Sequence, residues 1–92
     1  MSTTPVIRGN TARLNLTASA VLKPDQGRAF RVFVNTAGAG NAIHDCAAVG
    51  DAAVGNRVFA IPNVAGVYDI ECPCQVGVTF IFGAGDCAVV YS

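Results

Sequence analysis

YDIECPCQVGVTFIFGAGDCAVVYS, residues 68–92, holds three of the four cysteines and reads as consecutive β-strands joined by tight turns. Side chains on a strand alternate between its two faces. Ile70, Cys72 and Cys74 therefore share one face, and Val78, Phe80 and Phe82 form another such set. Gly83-Ala84-Gly85-Asp86 then leads into a last strand carrying Cys87, Val89 and Tyr91. Glycines permit the positive φ values of a two-strand turn. The stretch thus predicts a closing hairpin, with Val78, Phe80 and Phe82 facing Cys87, Val89 and Tyr91. A Gly-x-Gly segment that cradles phosphate must open a helix, whereas a strand follows here.

Working back toward the N-terminus, residues 11–22 (TARLNLTASAVL) show the clearest alternation. Leu14, Leu16, Ala18, Ala20 and Leu22 fall on one side, and Arg13, Asn15, Thr17 and Ser19 on the other. A period of two over this length predicts one half-buried strand. A helix would set Leu14 and Leu16 about 200° apart. Lys23-Pro24-Asp25-Gln26-Gly27 is a turn. Residues 28–35 (RAFRVFVN) predict a central strand. Phe30, Val32 and Val34 share a face, while Arg31, Asn35 and Phe33 lie opposite. Both faces are partly apolar, as on a strand covered on each side.

Short strands follow at 42–46, 57–61, 67–72, 76–82 and 86–91, separated by Gly- and Pro-containing turns. The near-repeat AAVGDAAVG, within residues 47–55, reads as a surface loop, since each glycine costs a helix roughly 1 kcal/mol relative to alanine. Turn signals every 8–12 residues mark a sandwich or small barrel. The expected fold is all-β: a single small antiparallel β-sandwich or barrel-like domain of about seven or eight strands. It spans residues 11–92, preceded by an N-terminal arm at 1–10. Within the arm, Pro5, Val6, Ile7 and Arg8 are the candidate attachment residues, suited to pairing as an edge strand or reaching a neighbour. The chain ends on a strand, which leaves that arm as the expected attachment device.

Composition narrows the function. Apolar residues make up 52% of the 92, yet there is no Trp and large core residues are few. A domain this small has a thin margin of stability and gains from disulfides, metals or partner subunits. Six basic and six acidic residues cancel, and charged residues are 13%, about half the usual ~25%. Nucleic acid needs clustered cations to neutralise phosphates, and the five arginines are dispersed. Neither nucleic acid nor membrane is an expected partner: no apolar run approaches the ~18 residues of a spanning helix. The first residues, MSTTPVIRGNT, lack the charged-then-apolar pattern of a secretory signal. Synthesis in the cytosol is the expectation.

No catalytic, cofactor-binding or metal set is expected. Cys46, Cys72, Cys74 and Cys87 are either buried thiols acting as small hydrophobes or disulfide partners. Neighbouring C-x-C thiols pair only under strain, which leaves 46–72 with 74–87, or 46–74 with 72–87. Zinc sites use C-x2-4-C knuckles, and C-P-C is not one. His44, Asp45 and Cys46 are consecutive, whereas a working triad is assembled from separated segments. Asp69 and Glu71, two apart on an outward strand face, read as a solvated pair. A ligand-binding module would need an exposed aromatic platform, for which Phe33, Phe59, Tyr68 and Tyr91 are the candidates.

KPDQGRAFRVFVNTAG, then AIHDC, then the IPN turn, then GVYDIECPCQVGVTFIFGAGDCAVVYS resemble the turn and strand pattern of small tailed-bacteriophage virion proteins. These are head decoration (cement) or head-fibre proteins with a compact β-sandwich. The resemblance covers roughly residues 21–92; the four cysteines and C-P-C depart from the pattern. It implies a non-enzymatic structural protein on the particle exterior that binds the major capsid protein or another virion protein. It also implies a homo-oligomer, with the trimer favoured. A tail, collar or fibre component is the neighbouring expectation.

Overall fold

The computed structural model describes residues 6–7 and 10–92. Among these residues nine strands follow in order: β1 (Val6–Ile7), β2 (Asn10–Leu16), β3 (Ala20–Lys23), β4 (Gly27–Thr36), β5 (Ala42–His44), β6 (Arg57–Ala60), β7 (Gly66–Cys74), β8 (Val78–Ile81) and β9 (Asp86–Tyr91). The first sheet has the order β1-β2-β9-β4-β7, and the second β3-β8-β5-β6. All pairs are antiparallel. The expected all-β sandwich is the fold.

The pairing is nested. β2 pairs with β9, β3 with β8, β4 with β7, and β5 with β6. The chain is therefore one long hairpin with β5 and β6 at its tip. It folds over so that successive strand pairs join opposite sheets. Bonds between β4 and β9, and between β5 and β8, then complete each sheet. This is the eight-stranded jelly roll, with the two-residue β1 added at one edge.

The topology corrects the closing hairpin. β8 and β9 belong to different sheets, so the 82–85 turn is an arch over the end of the sandwich. Val78, Phe80, Cys87 and Val89 do meet, but across the core rather than along a ladder. The alternation at 11–22 is likewise split. β2 ends at Leu16 and β3 starts at Ala20, each in its own sheet. Asn15 adopts φ 59°, and the β2–β9 register slips between Arg13 and Leu16. That bulge turns Leu14 outward (38% exposed) while Leu16 stays buried. Ala18 is exposed too, in the crossing segment. A period of two cannot distinguish one long strand from two short ones whose phases happen to agree.

A second bulge corrects β4. The register with both neighbours shifts between Ala29 and Arg31. Ala29, Val32 and Val34 face the core. Phe30 is displaced outward, where the guanidinium groups of Arg28 and Arg31 lie 5.8 and 5.3 Å from its ring centroid. The core gathers Leu16, Leu22, Val32, Ile43, Val78, Phe80 and Val89 from both sheets. Phe80 is fully buried, and burying one such side chain contributes about 1.5–3 kcal/mol.

The near-repeat at 47–55 forms two matching 3-10 turns, Val49–Asp51 and Val54–Asn56. Each Val-Gly starts one turn, so the repetition in sequence is a repetition in structure.

Candidate functional surface

The outer faces of the two sheets differ. On the second sheet, Thr79 and His44 are paired neighbours that point away from the core, yet both are buried. The loop carrying the two 3-10 turns covers them. Thr79 Oγ1 donates to the Cys46 carbonyl at 2.8 Å. His44 Nδ1 donates to Asn56 Oδ1 at 2.9 Å. The Asn56 amide nitrogen donates to the Asp51 carbonyl, so Oδ1 is the accepting atom and the His44 proton sits on Nδ1. Asn56 Oδ1 also accepts the Ala53 N–H. A single side chain thereby ties the loop to itself and to the sheet.

The outer face of the first sheet is more open: Val67 and Leu14 are exposed, Phe33 and Val90 are half-buried, and only the small Ala88 is buried. Register places Val67, Phe33 and Ala88 side by side on β7, β4 and β9. A second row runs Asp69, Arg31, Val90 and Ala12. Val67 is 59% exposed, and the outward-turned Leu14 and Phe30 extend the patch. Asp69 forms an ion pair with Arg31. At an exposed site such a pair contributes about 0–1 kcal/mol, so its main effect is to leave the face close to neutral. Glu71, at φ 49°, sits at a bulge of the outermost strand. Asp69 and Glu71 are both exposed, in keeping with a solvated pair, but Arg31 engages only the first.

The side chains of His44, Asp45 and Cys46 go three ways. Cys46 Sγ donates to the Ala48 carbonyl at 3.3 Å. The Asp45 carboxylate accepts the backbone N–H groups of Gln75, Val76 and Gly77 at 3.1, 2.8 and 3.2 Å. Partial burial pushes its pKa up, but the three donors outweigh this and hold it below 3.8. Asp45 is therefore a clamp on the β7–β8 connection. Asn41, buried, is a second clamp. It accepts the Gly83 N–H and donates to the Ala84 carbonyl, both at 2.7 Å. Sequence reasoning missed both. An acid or amide beside a Gly-containing turn is the only signal, and it is a common one.

All four thiols are free. Cys74 lies beside Gly27 at the start of β4, and Cys87 beside Val34 near its end. Seven residues of strand separate Cys87 from the level of Cys74, and five from that of Cys72 beside Ala29, about 24 and 17 Å, so Cys87 is out of reach of both. Each pairing scheme left open by the spacing required such a bridge. Burial foremost, then the Asp45 charge, raises the Cys74 thiol to about 11. Burial, then Asp86, also raises Cys87. These are thiols kept protonated. Cys72 alone is half-exposed. Among the described residues no three His, Cys, Asp or Glu side chains are grouped to hold a metal ion.

Of the aromatic candidates, Phe59, Tyr68 and Tyr91 pack against the core. The Tyr68 hydroxyl donates to the Val64 carbonyl. Phe33 alone belongs to the open face. Of the attachment residues, Val6 and Ile7 form β1, opposite Thr11 and Asn10. Pro5 and Arg8 lie outside the described residues. Among the described residues no helix is long and apolar enough to cross a membrane. Compared with protein-family models, curated proteins and solved structures, the chain matches none.

Proposed function

We propose that this chain is a non-enzymatic structural protein of a phage virion, a decoration or cement protein that binds the major capsid protein and stabilises the head lattice. The observation that carries this reading is the contrast between the two sheets. One outer face is sealed by the chain's own loop, while the other is more open, with apolar side chains and charges that balance. Exposed apolar patches mark interaction surfaces, so the domain is built to work against other protein, copies of itself included, as a repeated part of a particle does. The jelly roll recurs in viral capsid proteins, and also in lectins and cupins, so it supports the reading only by analogy. Three of the four aromatic side chains that would form a sugar-stacking platform, Phe59, Tyr68 and Tyr91, instead pack against the core, which weighs against a carbohydrate-binding module.

In this reading the N-terminal segment attaches the domain: Val6 and Ile7 form the edge strand β1, whose outer edge takes up a strand of a neighbour, with Pro5 and Arg8 as flanking contact residues. Many copies on a lattice multiply weak contacts. Mass spectrometry of purified particles tests the class: the chain is expected at a fixed ratio to the major capsid protein. Its absence from the particles sinks the proposal. A ratio of only a few copies per particle moves the domain to a tail, collar or fibre.

A further inference from the structure

We infer that the open face of the first sheet is the contact surface for a second copy of this chain, the two copies packing the same face together about a twofold axis. The argument begins from what the face exposes. Val67, Phe33, Leu14 and Val90 lie on four adjacent strands, β7, β4, β2 and β9. Val67 and Leu14 are exposed and Phe33 and Val90 half-buried, while His44 and Thr79 on the equivalent face of the other sheet are buried under the chain's own loop.

Charge favours a copy of the same chain as the occupant. Arg31 of β4 pairs with Asp69 of β7, and Arg28, opposite Pro73, and Glu71 extend the two columns. The face thus carries cations and anions in neighbouring columns and can meet its own image with opposite charges opposed. A strongly charged partner would leave one sign of these groups facing like charge. A twofold interface uses one self-complementary patch twice.

Size agrees. Four strands about 4.8 Å apart and about seven residues long make a face of roughly 19 by 24 Å. Two such faces bury on the order of 1,000 Å², near the lower bound for a specific interface. The self-association expected is therefore reversible. A face that pairs with itself also builds dimers and other even-numbered assemblies, not the trimer implied by the family resemblance.

Sedimentation of the full chain over a concentration series up to about 100 µM reads this directly. The expected result is a monomer–dimer equilibrium. Val67→Glu alters a side chain that is already exposed and so leaves folding intact. It is expected to weaken association at least about tenfold. Phe33→Ala does the same by removing the central ring. Val54→Glu, on the covering loop and 79% exposed, leaves association unchanged. A wild-type chain that stays monomeric throughout, or one that forms trimers, overturns the inference. So does a dimer indifferent to both Val67→Glu and Phe33→Ala. None of these outcomes depends on whether the chain is found in particles.

Discussion

The Asp45 carboxylate at the end of β5 takes the backbone N–H of Val76 at 2.8 Å, and with it those of Gln75 and Gly77. One side chain from the second sheet thereby fixes the loop by which β7, in the first sheet, becomes β8 in the second. Hydrogen bonds to a charged acceptor contribute about 1.5–3 kcal/mol. Asp45→Ala is expected to lower stability by about 2 kcal/mol, read as a shift in the urea midpoint at neutral pH. A shift no larger than that of an exposed control would contradict the clamp.

The same contact sets a pH dependence. The folded-state pKa of Asp45 lies below its ordinary 3.8. The stabilisation is therefore fully present above about pH 4 and is lost as the pH falls through the lower, folded value. Wild type is expected to lose stability between about pH 4 and 2 more steeply than Asp45→Asn. Parallel acid limbs for the two proteins would rule this out.

Which parts of this fold were legible in the sequence depends on how local the signal was. The strand content was legible because alternation is a property of neighbours, as at Val32 and Val34 or Cys87 and Val89. Sheet membership was not. Asn15 and Phe30 sit at bulges, and a bulge shifts the phase by one residue without a composition signal strong enough to mark it. The 82–85 turn has the glycines of a hairpin, but the same glycines serve an arch between sheets. Phe33 opposite Val32 and Val34 suggested a central strand covered on both sides; β4 is central, but within the described residues its outer face is open. Its neighbours Val67, Leu14 and Val90 come from distant segments, and only topology brings them together.

Asn41 and Gly83 make a second test of the arches. Asn41→Ala leaves the Gly83 N–H and the Ala84 carbonyl without their partner, at an expected cost of about 1–3 kcal/mol. A Cβ at Gly83 would overlap the Ala39 carbonyl and crowd Gly40. Gly83→Ala is therefore expected to destabilise by a comparable amount. Unchanged melting temperatures in both variants would show that the two loops do not bear on each other.

The thiols should separate by exposure. With an aromatic disulfide reagent at pH 8, one thiol of the native protein, Cys72, is expected to react promptly. Cys46, Cys74 and Cys87 are buried and should react only as the protein unfolds, Cys74 further restrained by its raised pKa. Denatured, unreduced protein should yield all four thiols. Fewer than four, or a peptide joining Cys74 to Cys87, would contradict the strand register.

The core offers a control of magnitude. Phe80 is fully buried between the sheets, and Phe80→Ala is expected to cost about 3–5 kcal/mol. That is a large part of the stability of so small a domain. Circular dichroism should then show a largely unfolded chain at 37 °C, and a folded one would show a core able to collapse into the gap.

The claim that the domain decorates and stabilises a capsid is tested most directly by adding the purified chain to particles assembled without it. The account predicts saturable binding at a fixed ratio to the major capsid protein, together with a rise in the temperature at which the particles open. Particles that bind none of the chain, or that bind it and open at an unchanged temperature, would contradict it.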